Sequence, residues 1–405
     1  MFGKKNQKIE SVNLKDSKDF DYVSNTDYYF DSACQSLRPV SVIEAEKEYY
    51  TCFNACGHRV KYKWGRIVDD KVDETRELLL KLVGKSSKEY TVAFTLNTTY
   101  GINLVLSQLK SEGIERIVTS EIEHNSCFLP TMTYAKSHNI ERLVLPRSED
   151  GALEYVESEI KNSIVLVNAA SNIDGRELVN AEKLAKDIHS NGGIFLLDGA
   201  QTLGHIPEVF KDVDFDALFS SGHKMYGPSL GIIIIKKSLF SKMDQFFIGG
   251  GTVVDVKKES YELIKDDLEM YSSLEAGLQN FAGIIGLGEA IKWRNSFKKD
   301  GMNAHEYEAK LNEYLFKRLN EVKGLKVFNK KASSVISVYT DKMDAHTLGM
   351  YFSEKNIMCR TGYFCCHYYL KDLLKMPPLL RISLGLNNDE RQIDFLIDTL
   401  KFLLK

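Results

Sequence analysis

The chain of 405 residues lacks several things, and each absence narrows what it can be. Only seven prolines break it up, and no internal repeat or low-complexity block divides it. Its net charge of −3 gives no reason to expect a polyanion such as nucleic acid as a partner. The aliphatic run at 232–235 is far too short to cross a bilayer, and no other stretch comes close, so no membrane association is expected. Residues 1–11 are polar and lysine-rich without an apolar core, which predicts no secretory signal. Seven cysteines without a disulfide-framework spacing predict reduced thiols in a cytoplasmic setting. No metal is expected. Cys365-Cys366-His367 lacks a zinc-ligand spacing, and Cys52, Cys56 and His58 read more readily as helix packing. Gly249-Gly250-Gly251 lacks the spacing of a dinucleotide fingerprint, and nothing else matches it.

What is present fits a soluble globular protein: 43% hydrophobic and 27% charged residues, in a chain long enough for two or three domains. Apolar strand-like runs at 91–95, 116–119, 142–145, 163–168, 193–198, 215–219 and 231–235 alternate with amphipathic stretches such as 99–110 and 181–190. That alternation is the mark of an α/β layered sheet. Residues 40–82 read as largely helical. A long helical pattern starts at Phe281 and passes Ile291, Trp293, Tyr307 and Leu319. A strand at 334–339, a helix near 346–355 and a last helix from Asp389 complete a smaller α+β unit.

One lysine stands out. Ser220-Ser221-Gly222-His223-Lys224-Met225-Tyr226-Gly227-Pro228 lies between two apolar runs, where an ammonium is costly unless its pKa falls or it is covalently capped. A Schiff base to an aldehyde cofactor caps it. Asp198, 26 residues upstream, ends the hydrophobic strand Ile194-Phe195-Leu196-Leu197. A carboxylate there can keep a pyridinium nitrogen protonated, which makes pyridoxal phosphate an electron sink. A lone lysine is ordinarily a solvated side chain; its pairing with Asp198 reverses that expectation.

These segments, with Asp198-Gly199-Ala200-Gln201 and Arg360-Thr361-Gly362-Tyr363-Phe364-Cys365, resemble the class V aminotransferase family, most of all the cysteine desulfurases and selenocysteine lyases. The likeness runs from Tyr29-Phe30-Asp31-Ser32-Ala33 to Arg381-Ile382-Ser383-Leu384. It implies a fold-type I pyridoxal-phosphate enzyme, with a large mixed-sheet α/β domain and a smaller α+β domain. Expected boundaries are 1–30 for a lead-in packing with the small domain, 31–285 for the cofactor-binding domain and 286–405 for the small domain.

Further site residues follow from the residues and the resemblance together. Asn97-Thr98-Thr99 precedes a helix and reads either as an anion cradle or as an ordinary N-cap. The resemblance makes Thr98 and Thr99 phosphate ligands, joined by Ser221 and His223, with Asn97 standing where a glycine is usual. Leu278 replaces the threonine that relatives send across a dimer to the phosphate, which leaves that contact missing or taken over by Gln279. His124 reads alone as a structural residue and by resemblance as the ring stacked on the pyridine, able to pass protons near neutral pH. Asn172 and Gln201 match residues at the cofactor's phenolate edge. Arg381, in an apolar run, needs an anionic partner. That is either a structural ion pair or, by resemblance, the substrate α-carboxylate. Arg360 and His58, the latter with Arg59 at the entrance, complete the substrate set. Cys365 reads alone as a buried inert thiol and by resemblance as the nucleophile.

The expected activity is a homodimeric desulfurase. L-Cysteine becomes L-alanine, and sulfur passes as a persulfide on Cys365 to an acceptor protein or small thiol. Another class V activity (selenocysteine lyase, C–S lyase, epimerase or aminotransferase) and a non-catalytic scaffold are the alternatives. Cys366 is expected to face away from Cys365 if the segment is extended.

Overall fold

The computed structural model describes residues 19–57, 60–264 and 270–405. Its centre is a sheet of seven strands: β1 (Tyr90–Thr95), β2 (Arg116–Ser120), β3 (Glu141–Leu145), β4 (Ser163–Asn168), β5 (Ile194–Asp198), β6 (Ala217–Ser221) and β7 (Gly231–Lys236). They lie in the order β1-β7-β6-β5-β4-β2-β3, and only β7 runs against its neighbours. The expected strand at 215–219 begins two residues later, because Phe215 bonds outside the ladder and is buried against Phe210.

The sheet is covered on both faces, so its strands are apolar on both sides rather than alternating with polar residues. Ile232 and Ile234 point to one core, Ile233 and Ile235 to the other. The first core is closed by α1 (Val40–Cys52), α2 (Lys63–Leu82), α5 (Ala181–Ser190) and α6 (Phe281–Ser296); the second by α3 (Thr98–Gln108) and α4 (Asn125–His138). The helical run expected over 40–82 is interrupted between α1 and α2, where Gly57 packs against Asp69 and Val68.

The second unit is an antiparallel sheet of β8 (Lys326–Val327), β9 (Val335–Tyr339), β10 (Arg360–Gly362) and β11 (Leu379–Ser383), ordered β8-β9-β11-β10. Helices α7 (Ala304–Asn320), α8 (Ala345–Glu354) and α9 (Glu390–Leu403) share its core. Strand alternation then places Leu380 and Ile382 in that core and turns Arg381 to the opposite face, toward the large sheet. The lead-in reaches this unit too. Tyr28 pairs with Ile357 and stacks on Phe395, and Phe20 packs on Trp293. The border expected at 285/286 falls inside α6, whose Ile284 and Leu287 belong to the first core and whose Trp293 belongs to the small unit's core.

A buried ion pair fastens the outer edge. Arg76 on α2 donates from both Nη atoms to Glu275, at 2.9 and 2.8 Å, and its guanidinium lies 3.7 Å from the Tyr271 ring. Glu275 also accepts from the Phe94 backbone N–H at 2.7 Å, so one carboxylate joins α2, β1 and the segment before α6. Removing it strands a buried cation. Glu275→Ala is expected to lower unfolding free energy by about 3–5 kcal/mol, read from the midpoint of denaturant unfolding. A change under about 1 kcal/mol would show the pair to be dispensable.

Candidate active site

The parallel strands end on one side of the sheet, and the switch in strand order makes a crevice there. Along it the structure brings together Thr98, Thr99, His124, Asn172, Asp198, Gln201, Ser221, His223, Lys224, Arg360, Cys365 and Arg381. Of the expected site residues only His58, with Arg59, lies outside the described residues.

Lys224 sits on a single 3₁₀ turn, Gly222–Lys224, directly after β6. Gly222 lets the turn close, since a Cβ there would come within 2.6 Å of the Pro228 carbonyl oxygen. Tyr226 leaves the turn at φ 63°, in the left-handed region. Burial lowers the Lys224 pKa; the Asp198 carboxylate opposes that, and the Arg381 guanidinium adds to it. Asp198 itself is 5% exposed at the end of β5. Its Oδ1 accepts from the Ala200 N–H at 2.9 Å and its Oδ2 from the Cys127 thiol at 3.3 Å.

At the head of α3, Asn97 has φ −171°, extended backbone open to any residue, so the departure from glycine costs nothing. Its Oδ1 caps the helix by accepting from the Tyr100 N–H at 2.9 Å. Thr98 is tied to Ser221 twice, by its N–H at 3.0 Å and its hydroxyl at 2.6 Å. Hydroxyls and a helix N-terminus thus converge on one end of the crevice, a donor set suited to a phosphate. Leu278 and Gln279 line a separate surface hollow of this chain, and the Gln279 amide folds back to donate to the Glu275 and Gly277 carbonyls.

His124 caps α4. Its Nδ1 accepts the Ser126 backbone N–H at 3.0 Å, which leaves Nε2 to carry the ring proton. Burial, with the nearby Lys224 and Arg381 cations, holds its pKa down at about 3, so the ring is neutral. Ser126 also bonds the His124 Nδ1 and the Thr99 hydroxyl, at 2.9 and 2.6 Å, and so links the ring to the phosphate end.

The far end is cationic. Asp31 binds two guanidiniums at once, Arg381 Nη2 at 3.1 Å and Arg360 Nε at 3.2 Å. One negative charge between two positive ones leaves an excess that favours an anionic guest. Arg381 is 3% exposed and its Nε has no partner among the described residues.

Cys365 lies on the turn after β10. Phe364 and Cys365 have φ 50° and 59°, two successive left-handed residues without a glycine. The extended segment that would separate Cys365 from Cys366 is therefore absent, yet a turn still parts them. Cys365 is exposed while Cys366 is 1% exposed. Asn172 holds the turn, donating to the Phe364 carbonyl at 2.7 Å and accepting from the Cys366 thiol at 3.0 Å. One amide N–H and the amide oxygen thus serve the cysteine turn, while the side chain also lines the crevice. Sequence reasoning missed Asp31, Ser126, Cys127 and Cys34. Asp31 was legible only as part of Tyr29-Phe30-Asp31-Ser32-Ala33, with no role attached.

The Aminotransferase class-V sequence pattern matches residues 28–396. The chain belongs to that family. A "Probable cysteine desulfurase" of Pyrococcus abyssi is 32% identical over 390 residues, 93% of this chain and 94% of that protein. One of Borreliella burgdorferi is 30% identical over 392 residues, covering 93% and 92%. The apo cysteine desulfurase of Thermococcus onnurineus NA1 shares the fold with a TM-score of 0.83 at 28% identity, over 94% of this chain and 95% of that one. The fold is fold-type I, and the family depends on pyridoxal phosphate. The residues present fit that group, with a buried lysine, a buried carboxylate and a hydroxyl-lined helix N-terminus in one crevice.

The neutral His124 has a pH consequence. Between its ordinary 6.5 and about 3, the unfolded chain binds a proton that the folded chain excludes, so stability falls as pH falls through that window. His124→Asn keeps a capping acceptor and removes the titration. Without cofactor, its unfolding free energy is expected to decline less steeply below pH 6.5. The difference is at most about 1.4 kcal/mol per pH unit. An unchanged slope in urea titrations at stepped pH would mean that the folded ring is already charged.

Proposed function

We propose that this chain is a pyridoxal-phosphate-dependent cysteine desulfurase, which converts L-cysteine to L-alanine and holds the sulfur on Cys365. The observation that carries the reading is an exposed thiol on a constrained turn, at the rim of the crevice that holds Lys224 and Asp198. When bound, pyridoxal phosphate draws electrons from the substrate Cα. Lys224 would hold it through Nζ and move the proton on and off Cα. Asp198 would keep the ring nitrogen protonated, Thr98, Thr99, Ser221 and His223 would take the phosphate, and Gln201 the phenolate edge.

Arg381 and Arg360 would receive the cysteine carboxylate on their excess charge, and His124 would lie over the ring as a neutral donor through Nε2. The Cys365 thiolate would attack the substrate sulfur: a new S–S bond forms, the Cβ–S bond breaks, and the carbon fragment is protonated to alanine. No net oxidant is needed, because the substrate carbon is reduced as the enzyme sulfur is oxidised to the persulfide. The persulfide then passes to an acceptor, protein or small thiol. We also propose a homodimer in the cytoplasm. Leu96, Phe246 and Leu278, 69%, 71% and 78% exposed, are large apolar side chains for a partner copy to cover.

The test is incubation with L-cysteine and a thiol reductant, scoring sulfide and alanine together, in equal amounts if the reading holds. Cys365→Ser should abolish sulfide release, and Cys366→Ser, which keeps a donor for Asn172, should retain most turnover. Arg381→Ala should raise the KM for cysteine by an equivalent of about 1.5–3 kcal/mol. Full activity of Cys365→Ser on L-cysteine would replace desulfuration with a C–S lyase activity.

A further inference from the structure

The crevice holds a second thiol. Cys34 follows Asp31 by three residues on the segment that crosses in front of β11, and it lines the crevice with Lys224, Cys365 and Arg381. Its Sγ accepts a hydrogen bond from Arg360 Nη2 at 2.6 Å, while Nε of the same guanidinium binds Asp31. Arg360 lies on β10, and the turn that follows β10 carries Cys365, so one short stretch of chain presents both the cation that touches Cys34 and the nucleophile.

The other nearby thiols are unsuited to sulfur traffic. Cys127 and Cys366 are fully buried, and burial pushes both thiols up. Cys359 is pushed up by burial as well. Cys34 and Cys365 remain, both open to the same crevice. Arg381 Nε, buried and without a partner among the described residues, adds an uncommitted donor at this end. A guanidinium has donors only, so the pair Arg360 and Arg381 is built to hold negative charge on a guest atom.

We propose that Cys34 is an internal sulfur acceptor, which takes the sulfane sulfur from Cys365 and frees the nucleophile for a second turnover. The step rests on the desulfurase reading above. Cys34 Sγ attacks the outer sulfur of the Cys365 persulfide, and a Cys34–sulfur bond forms. The bond between that sulfur and Cys365 Sγ breaks, and its electron pair leaves on Cys365, which takes up the proton Cys34 gave up. One S–S bond replaces another, so no oxidant or reductant is consumed. Arg360 then faces an anionic persulfide in place of the Cys34 sulfur.

The test uses the full chain loaded with pyridoxal phosphate and given L-cysteine without acceptor or reductant. Samples are alkylated at increasing times, and the added sulfur is mapped by peptide mass. Sulfur is expected first on the Cys365 peptide and then on the Cys34 peptide, and on neither in Cys365→Ser. In Cys34→Ala the alanine released before any reductant is added should halve, with Cys365 still labelled. If that variant fails to fold, the time course of the unaltered chain decides alone. Sulfur confined to Cys365 at all times, or reaching Cys34 in Cys365→Ser, overturns the relay. Sulfur on neither peptide of the unaltered chain overturns the desulfurase reading itself, and the relay with it.

Discussion

A buried carboxylate holds the two units in register around the lysine turn. Glu308, on α7 of the small unit, is 6% exposed. It accepts from the Tyr226 hydroxyl at 2.6 Å and from His205 Nδ1 at 3.2 Å. The Tyr226 hydroxyl in turn accepts the Leu386 N–H at 3.0 Å, and Arg294 of α6 bonds the His205 carbonyl. A buried charge with so many partners is costly to disturb, because losing one leaves the rest desolvated and unpaired. Tyr226 stands two residues past Lys224 with left-handed backbone, a conformation that a bulky residue keeps only when its surroundings impose it. Ser36 closes the other side, donating from its N–H to the His223 carbonyl at 2.8 Å and accepting from the Tyr226 N–H at 2.7 Å. The turn that carries the lysine is thereby held from three separate parts of the chain, by the side chains of Ser36 and Glu308 and the backbone N–H of Leu386.

Two other carboxylates shape the field within the crevice. Asp198 meets the lysine end, Asp31 meets the arginine end, and three cations face two carboxylates. Because burial excludes most water and Lys224 and Arg381 are near, the His124 imidazole stays neutral. A neutral ring with its proton on Nε2 can donate without adding to the positive charge that already draws an anionic substrate. Pairing each cation only in part therefore does more here than full neutralisation would, since a saturated Arg381 would have nothing to offer a carboxylate.

The nucleophile's surroundings depend on distant pairing to the same degree. The turn at Phe364 and Cys365 is left-handed twice over, and its hold comes from Asn172, nearly two hundred positions earlier, and from the Asn125 N–H, which donates to the Cys365 carbonyl at 2.7 Å. Residues around 360–366 alone contain no glycine after Gly362 to announce such a backbone, and so an extended reading was natural. The role of Asp31 is hidden for a related reason. Its value lies in meeting Arg381, 350 positions later, and nothing local to Asp31 signals that.

By itself the sequence determined what depends on short range. Apolar runs buried on both faces specify the strands, and helical spacing and caps specify α3, α6 and α9. The lysine between two hydrophobic runs demands a chemical explanation. A strand-end carboxylate upstream supplies one, since burial of charge is costly wherever the chain places it. Only the tertiary structure decided which groups share charge: Asp31 between two arginines, Cys34 against Arg360, Asn172 turned to the cysteine turn, and Cys365 separated from Cys366 by left-handed backbone rather than by strand alternation. Those choices depend on distances between segments brought together by sheet order and domain packing, and an electrostatic or hydrogen-bond energy has no value until such a distance is set.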